Sequence, residues 1–236
     1  MADGIYVSMN GAAARLAQLD SIADNLANAQ TPGFKAERPS FESFLARADG
    51  KDSPRVYPAA VATNVDLRPG AMVQTNNPLD VTPTGNAFIG VQTSKGIALT
   101  RNGHLQVTGD GRLMAAGHAV VDRDGNAITL PPGATVRVEP SGAVFANDML
   151  ISKIGLFDVH GNVDRVGPSL LMPHDQKAIS PSADGLRLGE IETGNASPLE
   201  AAVQLVAAQR HFENSMQALQ TYRRMDERAS EVGKTR

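Results

Sequence analysis

The sequence predicts an α+β protein in which N- and C-terminal heptad helices form a helical layer and an all-β domain, a meander or small barrel-like one, is inserted between them. An a/d heptad run occupies each end of the chain, and the stretch between them alternates with period two between turn residues. The boundaries fall at 1–33 for the N-terminal coiled-coil helix, 34–75 for an extended connector, 76–192 for the β-rich domain and 193–236 for the C-terminal coiled-coil helix.

Ile5, Met9, Ala12, Leu16, Leu19, Ala23 and Leu26 follow one another at alternating spacings of 4 and 3, an unbroken seam narrower than the apolar stripe of an ordinary surface helix. The run stops at Thr31-Pro32-Gly33, where the residue before proline is pushed out of the α region and a glycine follows. From Phe34 to Val73 periodicity fades and proline recurs at 39, 54, 58 and 69, so the segment reads as extended, with a short helix around Phe41 to Ala48. Its length and prolines suggest a brace ordered against neighbours.

Strands are predicted over Ala87–Thr93, Ile97–Arg101, His104–Val107, Ala134–Val138, Ala143–Phe145, Met149–His160 and Leu186–Ile191. The Asn102-Gly103 pair suits a two-residue type I′ hairpin between the second and third of these. Gly109-Asp110-Gly111, Asp124-Gly125-Asn126 and Pro131-Pro132-Gly133 mark further turns. In the last segment Ser197 stands as N-cap, Pro198 as first helical residue and Glu200 as the partner in a capping box. Beyond them Ala201, Leu205, Ala208, Phe212, Ser215, Leu219 and Tyr222 repeat the 4–3 alternation, with Met216 widening the stripe.

An apolar seam on an isolated helix needs a partner. Residues 1–30 carry Asp3, Asp20 and Asp24 against Arg15, whereas residues 210–236 carry six cations against four acids. The two helices therefore attract each other, either as a hairpin within one monomer or between subunits. Periodicity leaves both arrangements open.

Composition narrows the function. The chain has 236 residues, no cysteine and no tryptophan, 42% hydrophobic residues and only 4% aromatic ones. That supply favours a thin core and excludes a disulfide scaffold, a thiolate metal site and a thiol nucleophile. A net charge of −3 gives no reason to expect nucleic acid, and no apolar run is long enough for a membrane span. Arg15 is the first cation, so the N-terminus lacks the basic region of a cleaved secretory signal.

The five histidines, at 104, 118, 160, 174 and 211, show no ligand spacing. Asp122 to Asn126 begins like a calcium loop, but Ala127 and Gly133 stand where glycine and glutamate are needed, so it reads as a turn. Gly109-Asp110-Gly111 lacks the third glycine of a dinucleotide fingerprint, and no nucleophile elbow or phosphate loop occurs. Asn195-Ala196-Ser197 matches a glycosylation triplet, but the capping role of Ser197 accounts for it more simply. No catalytic, cofactor-binding or metal-binding residue is assigned, and the protein reads as a non-enzyme.

The stretch from Ser21 to Lys35, SIADNLANAQTPGFK, closely resembles the N-terminal signature of the bacterial flagellar axial proteins, the rod and hook family, through Asn25, Leu26, Asn28, Thr31, Pro32, Gly33 and Phe34. Asn77 to Val81, Leu99 to Leu105 and Asp110 to Leu113 look like that family's shared core, and Glu200 to Tyr222 resembles its C-terminal helix. The resemblance implies a structural subunit of the basal-body rod, built into a hollow helical drive shaft for motility, with paired terminal helices as inner layer. The seams named above, with Met216, would be the assembly interface. It also implies other rod subunits and further copies of the chain as partners. Export would run through the flagellar type III apparatus without signal cleavage, into a rod that spans the periplasm, and no cofactor would be needed. Thr31-Pro32-Gly33 and the Ile5-Tyr6 opening are similar to the proximal-rod branch, with the distal-rod branch as the alternative. A monomeric secreted binding module and a secreted enzyme acting on cell-wall glycan are the readings outside the family.

Overall fold

The computed structural model describes residues 2–46 and 55–234, with side chains over 9–38, 64–225 and at 228. A helix forms over Ala2–Ala27 and a longer one over Pro198–Lys234. The second starts where its punctuation places it. The Glu200 backbone N–H donates to Ser197 Oγ at 3.4 Å, which satisfies one orphan donor, and the Ala201 N–H to the Ser197 carbonyl at 2.9 Å is the first helical bond; the Glu200 carboxylate, expected to return to the Ser197 N–H in a capping box, accepts from Gln204 Nε2 at 3.0 Å.

Chain contacts divide the protein into two units, the first comprising Met1–Leu26, Glu37–Thr63 and Ser197–Arg236 and the second Ala27–Ala36 and Asn64–Ala196. In the first unit the two helices share a cluster of Ile22, Ala201 and Ala208, with Leu19, Leu26 and Leu205 packed against it. The helices thus pair within one chain. Asn25 brackets the chain that follows: its Nδ2 donates to the Glu37 carbonyl at 2.8 Å and its Oδ1 accepts the Glu37 N–H at 3.0 Å.

The expected short helix around Phe41 to Ala48 is not formed. Residues Glu37–Ala46 are a strand that pairs with Arg55–Val65 in a two-stranded sheet, and Arg47 and Ala48 lie outside the described residues. The partner strand, with Val56, Val61 and Val65, lies further along the chain, so no local helical period reveals it.

The second unit holds open sheets in place of the expected barrel-like closure. The largest runs from Val163–Gly167 through Leu170–Pro173, Gly96–Thr100, Phe88–Thr93, His118–Val120 and Leu113–Ala115 to Gln106–Val107; Leu156–Val159 and Ile179–Pro181 extend it off that path. Val136–Val138, Ala143–Ala146 and Met149–Lys153 make a three-stranded sheet. Val81–Pro83 pairs with Leu186–Leu188, and Met72–Gln74 with Glu190–Glu192. Val81, Ile89, Val91, Leu105, Leu113, Val144, Ile154 and Leu156 belong to one core cluster, and Phe88, Leu99, Val121, Phe157 and Leu171 form another.

Three strand expectations are corrected. Gly96–Thr100 does not form a hairpin with Gln106–Val107, whose partner is Leu113–Ala115 across the Gly109 to Gly111 turn. Neither Asn102 nor Gly103 has positive φ, so no type I′ turn exists there. The expected strand from Met149 to His160 breaks at Ile154 and Gly155, where the Gly155 N–H turns to the Val121 carbonyl. That from Leu186 to Ile191 breaks at Gly189, with φ of 71°.

Candidate functional site: the helix seam and the buried crossing of the chain

On the C-terminal helix the expected seam is the covered face: Ala201, Ala208 and Leu219 are buried and Leu205, Phe212 and Ser215 half-buried, whereas Met216 and Tyr222 are exposed. On the N-terminal helix the covered face follows a slightly rotated register. Ala12 and Ile22 are buried and Leu19 and Leu26 half-buried, but Ala23 is exposed and Met9 and Leu16 are each 48% exposed. The Ile5 side chain lies outside the described residues. A straight helix drifts about 20° per heptad against the 3.5 repeat, and at the contested turn the larger Ile22 takes the covered place beside Ala23. Sequence reasoning missed a second stripe, Leu199, Val203 and Val206, exposed by 78%, 65% and 53%. Its 4–3 spacing was present but shorter than the run beside it.

The motif residues divide between two tasks. Asn25 and Leu26 belong to the helix pair. The Thr31 N–H donates to the Asn28 carbonyl at 2.9 Å and Thr31 Oγ1 lies 3.4 Å from Asn28 Oδ1, which closes the turn before Pro32. Gly33 has φ of 69°, and a Cβ there would collide with the backbone of Arg101 and Asn102. Phe34 is fully buried beneath the Arg165 guanidinium, 4.9 Å from the ring centroid.

Next in sequence, Lys35 enters a charged cluster that composition and spacing gave no sign of. Lys35 Nζ donates to Glu192 Oε1 at 2.6 Å and to the Arg68 carbonyl at 2.7 Å. Arg101 Nη1 donates to the other carboxylate oxygen, Oε2, at 2.9 Å, and its guanidinium also reaches the Pro83 and Gly85 carbonyls. Glu192 Oε1 accepts the Gly70 N–H as well, at 2.9 Å. All three side chains are 0–1% exposed.

Asn195 completes the crossing. Its Oδ1 accepts the Ala36 N–H at 2.7 Å, while Nδ2 donates to the Asp66 and Arg68 carbonyls at 2.7 and 3.0 Å. Between them, Glu192 and Asn195 stitch the segments at 33–36, 66–70 and 192–195 together. The core stretches noted in the sequence converge here too. Arg101 belongs to one of them, Gly33 rests on it, and the next glycine, Gly103, meets Val81 of another. His104 Nδ1 and Asp80 Oδ1 then close the same pair of stretches at 2.7 Å.

Burial lowers the pKa of Lys35 below its ordinary 10.5, with the like charge of Arg101 adding to the effect and Glu192 and Asp66 opposing it. Between the lowered value and 10.5 the unfolded chain holds a proton that the folded chain has lost, so raising the pH through that window favours folding. Below the window the contribution is constant and at its least favourable. Wild type should therefore gain stability relative to Lys35→Met as pH rises from neutral toward 10.5, read as diverging urea midpoints. A constant difference would refute the assignment.

The cluster is enclosed and internally satisfied except for the buried Arg101 Nε, which suits a joint and gives no reacting group access to a substrate. Among the described residues no group of three or more His, Asp or Glu could hold a metal. Asp122 Oδ1 accepts the N–H groups of Asp124 and Asn126 at 2.9 and 2.8 Å, the bonding of an Asx turn.

Comparison with known proteins covers both ends and the whole length. A family described as flagella basal body rod protein matches residues 5–35, and one described as flagellar basal body rod FlgEFG protein C-terminal matches residues 187–232. The chain is 32% identical over 99% of both chains to the flagellar basal-body rod protein FlgF of Mesorhizobium japonicum. It is 29% identical to FlgF of Salmonella typhimurium over 98% of both chains. To FlgG of Buchnera aphidicola it is 25% identical over 98% of this chain and 100% of the other.

Proposed function

Since this chain belongs to the flagellar basal-body rod protein FlgF family, we infer that it works as a structural subunit of the bacterial flagellar basal-body rod, in its proximal part. The observation that carries this is a 32% identity sustained over 99% of both chains. The 32% and 29% identity to FlgF of Mesorhizobium japonicum and Salmonella typhimurium, against 25% to FlgG of Buchnera aphidicola, supports the proximal over the distal reading.

The helix pair supplies the means of assembly. Its inner face, with Ala12, Leu26, Ala208 and Leu219, is used within the chain. Met9 and Leu16 on one helix and Leu199, Val203 and Val206 on the other remain exposed, and a subunit that keeps such stripes has apolar area to bury against neighbours. Those neighbours are further copies of the chain and other rod subunits. Repeated around a channel, the interlocked seams resist twist and so carry torque, with the ribbon of Glu37–Ala46 and Arg55–Val65 bracing adjacent subunits. Export through the flagellar type III apparatus, without a cleaved signal, and assembly across the periplasm complete the reading. Among the described residues no helix is long and apolar enough to cross a membrane.

The chain has no cysteine, which makes the test direct. A cysteine at Leu16 or Val203, carrying a photoactivatable maleimide, should cross-link to rod subunits identified by mass in isolated basal bodies. A cysteine on the exposed Gln217 or Arg223 serves as comparison. Equal yields from all positions, or no adduct to a rod subunit, would refute the interface.

A further inference from the structure

We propose that the buried Lys35–Glu192–Arg101 cluster, with Asn195, is a latch that holds the two ends of the chain in register and so sets how readily the terminal helices find each other. This inference does not rest on the rod reading. The N-terminal helix enters the β unit at Ala27, and the chain leaves that unit at Ala36 toward the ribbon and at Ala196 toward the C-terminal helix. Just inside those points the Gly33 N–H donates to the Glu192 carbonyl at 2.8 Å, the Asn195 N–H to the Phe34 carbonyl at 3.3 Å, and the Ala36 N–H to Asn195 Oδ1 at 2.7 Å. The two exits are thus tied side by side by polar groups that are members of neither hydrophobic cluster of that unit, one of which, Arg101, lies 5.1 Å over the Phe88 ring of the second cluster. It can open while those cores stay packed.

Charge determines which loss opens it. The cluster holds two cations against one carboxylate, with Asp66 nearby engaging the exposed Arg68. Removing Lys35 leaves a neutral Arg101–Glu192 pair. Neutralising Glu192 leaves two like charges buried within one site, and such charges recover hydration only if the segments part. The Asn195 side chain holds the same crossing through three hydrogen bonds and no charge.

The helices share Ile22 and Ala201 in their seam. With the latch closed, the loop that must close to bring these together runs through the crossing and counts ~17 residues; with it open, the path crosses the ribbon, which joins Ala36 to Asp66, and the next anchors near 66 and 190 lengthen the loop to ~26. A −3/2-power dependence lowers the effective concentration of one helix for the other about two-fold.

The experiment uses the full chain carrying Ile22→Cys and Ala201→Cys. The intramolecular effective concentration is measured by disulfide equilibration in a glutathione buffer, and amide hydrogen exchange in Phe88–Thr93 and Gly96–Thr100 reports whether the β unit is folded. Adding Glu192→Gln should lower the effective concentration about two-fold with strand protection kept, and Asn195→Ala should act in the same direction. Lys35→Met should leave it unchanged. An unchanged value in folded Glu192→Gln overturns the proposal. So does a Lys35→Met loss as large as that of Glu192→Gln. Should Glu192→Gln unfold the β unit, Asn195→Ala decides: a lowered value with protected strands supports the latch, and an unchanged one ends it.

Discussion

Gly103→Ala should destabilise the protein by at least ~3 kcal/mol and lower its melting temperature by roughly 6–12 °C, although alanine is small and the backbone there is unstrained. The Val81 N–H donates to the Gly103 carbonyl at 2.9 Å, and the two chains lie so close that an added Cβ would overlap the Val81 carbonyl. Both sides of the collision are backbone, and Val81 is fully buried, so neither can yield without breaking the bridge between Asp80 and His104. Gly109 has nothing within 4 Å of its Cβ position, and Gly109→Ala should stay within about 0.5 kcal/mol of wild type. Thermal unfolding of the two variants side by side decides the matter. A Gly103→Ala protein melting within 2 °C of the Gly109→Ala protein would show that the approach of Val81 and Gly103 is not rigid.

The same glycine shows where the sequence could be read and where it could not. Asn102-Gly103 carries the strongest local hairpin signal, yet the glycine serves a close approach between strands distant in sequence, information that no dipeptide contains. The start of the second helix was legible because caps act within a few residues. Ser197 and Pro198 start the second helix where their chemistry requires. The C-terminal seam was legible because its covered residues keep one period over six positions. On the N-terminal helix Ala23 and Ile22 compete for one position, and side-chain size settled what spacing left open. Glu192 could not have been found. It is one of two acids in a three-residue strand, and its partner Lys35 lies 157 residues away. The motif residues around Lys35 were visible as a resemblance, but their reason, a glycine that admits the Arg101 backbone and a lysine that meets Glu192, appears only in three dimensions.

Leu16→Asp should abolish incorporation into the basal body and flagellar motility while leaving the isolated protein as stable as wild type within about 0.5 kcal/mol. Leu16 is 48% exposed and absent from the cluster that joins the helices, so a carboxylate there stays hydrated in the monomer. In the assembled rod the same carboxylate would sit on an apolar stripe facing a neighbour. Without a partner its burial costs at least ~3 kcal/mol per contact, a factor of more than about 100 in each association step. Every copy carries the lesion, so the penalties compound along the shaft. Leu16→Met keeps the apolar contact and should assemble. Leu19→Asp provides the contrast, because Leu19 packs against Ile22, Ala201 and Ala208 and its loss should loosen the helix pair before any assembly begins. The pattern required is a stable but non-assembling Leu16→Asp, a destabilised Leu19→Asp and a motile Leu16→Met, measured by urea denaturation, basal-body isolation and swarming. Wild-type swarming by Leu16→Asp cells would remove the exposed stripe from the interface and leave the buried seam as the only use of the N-terminal heptads.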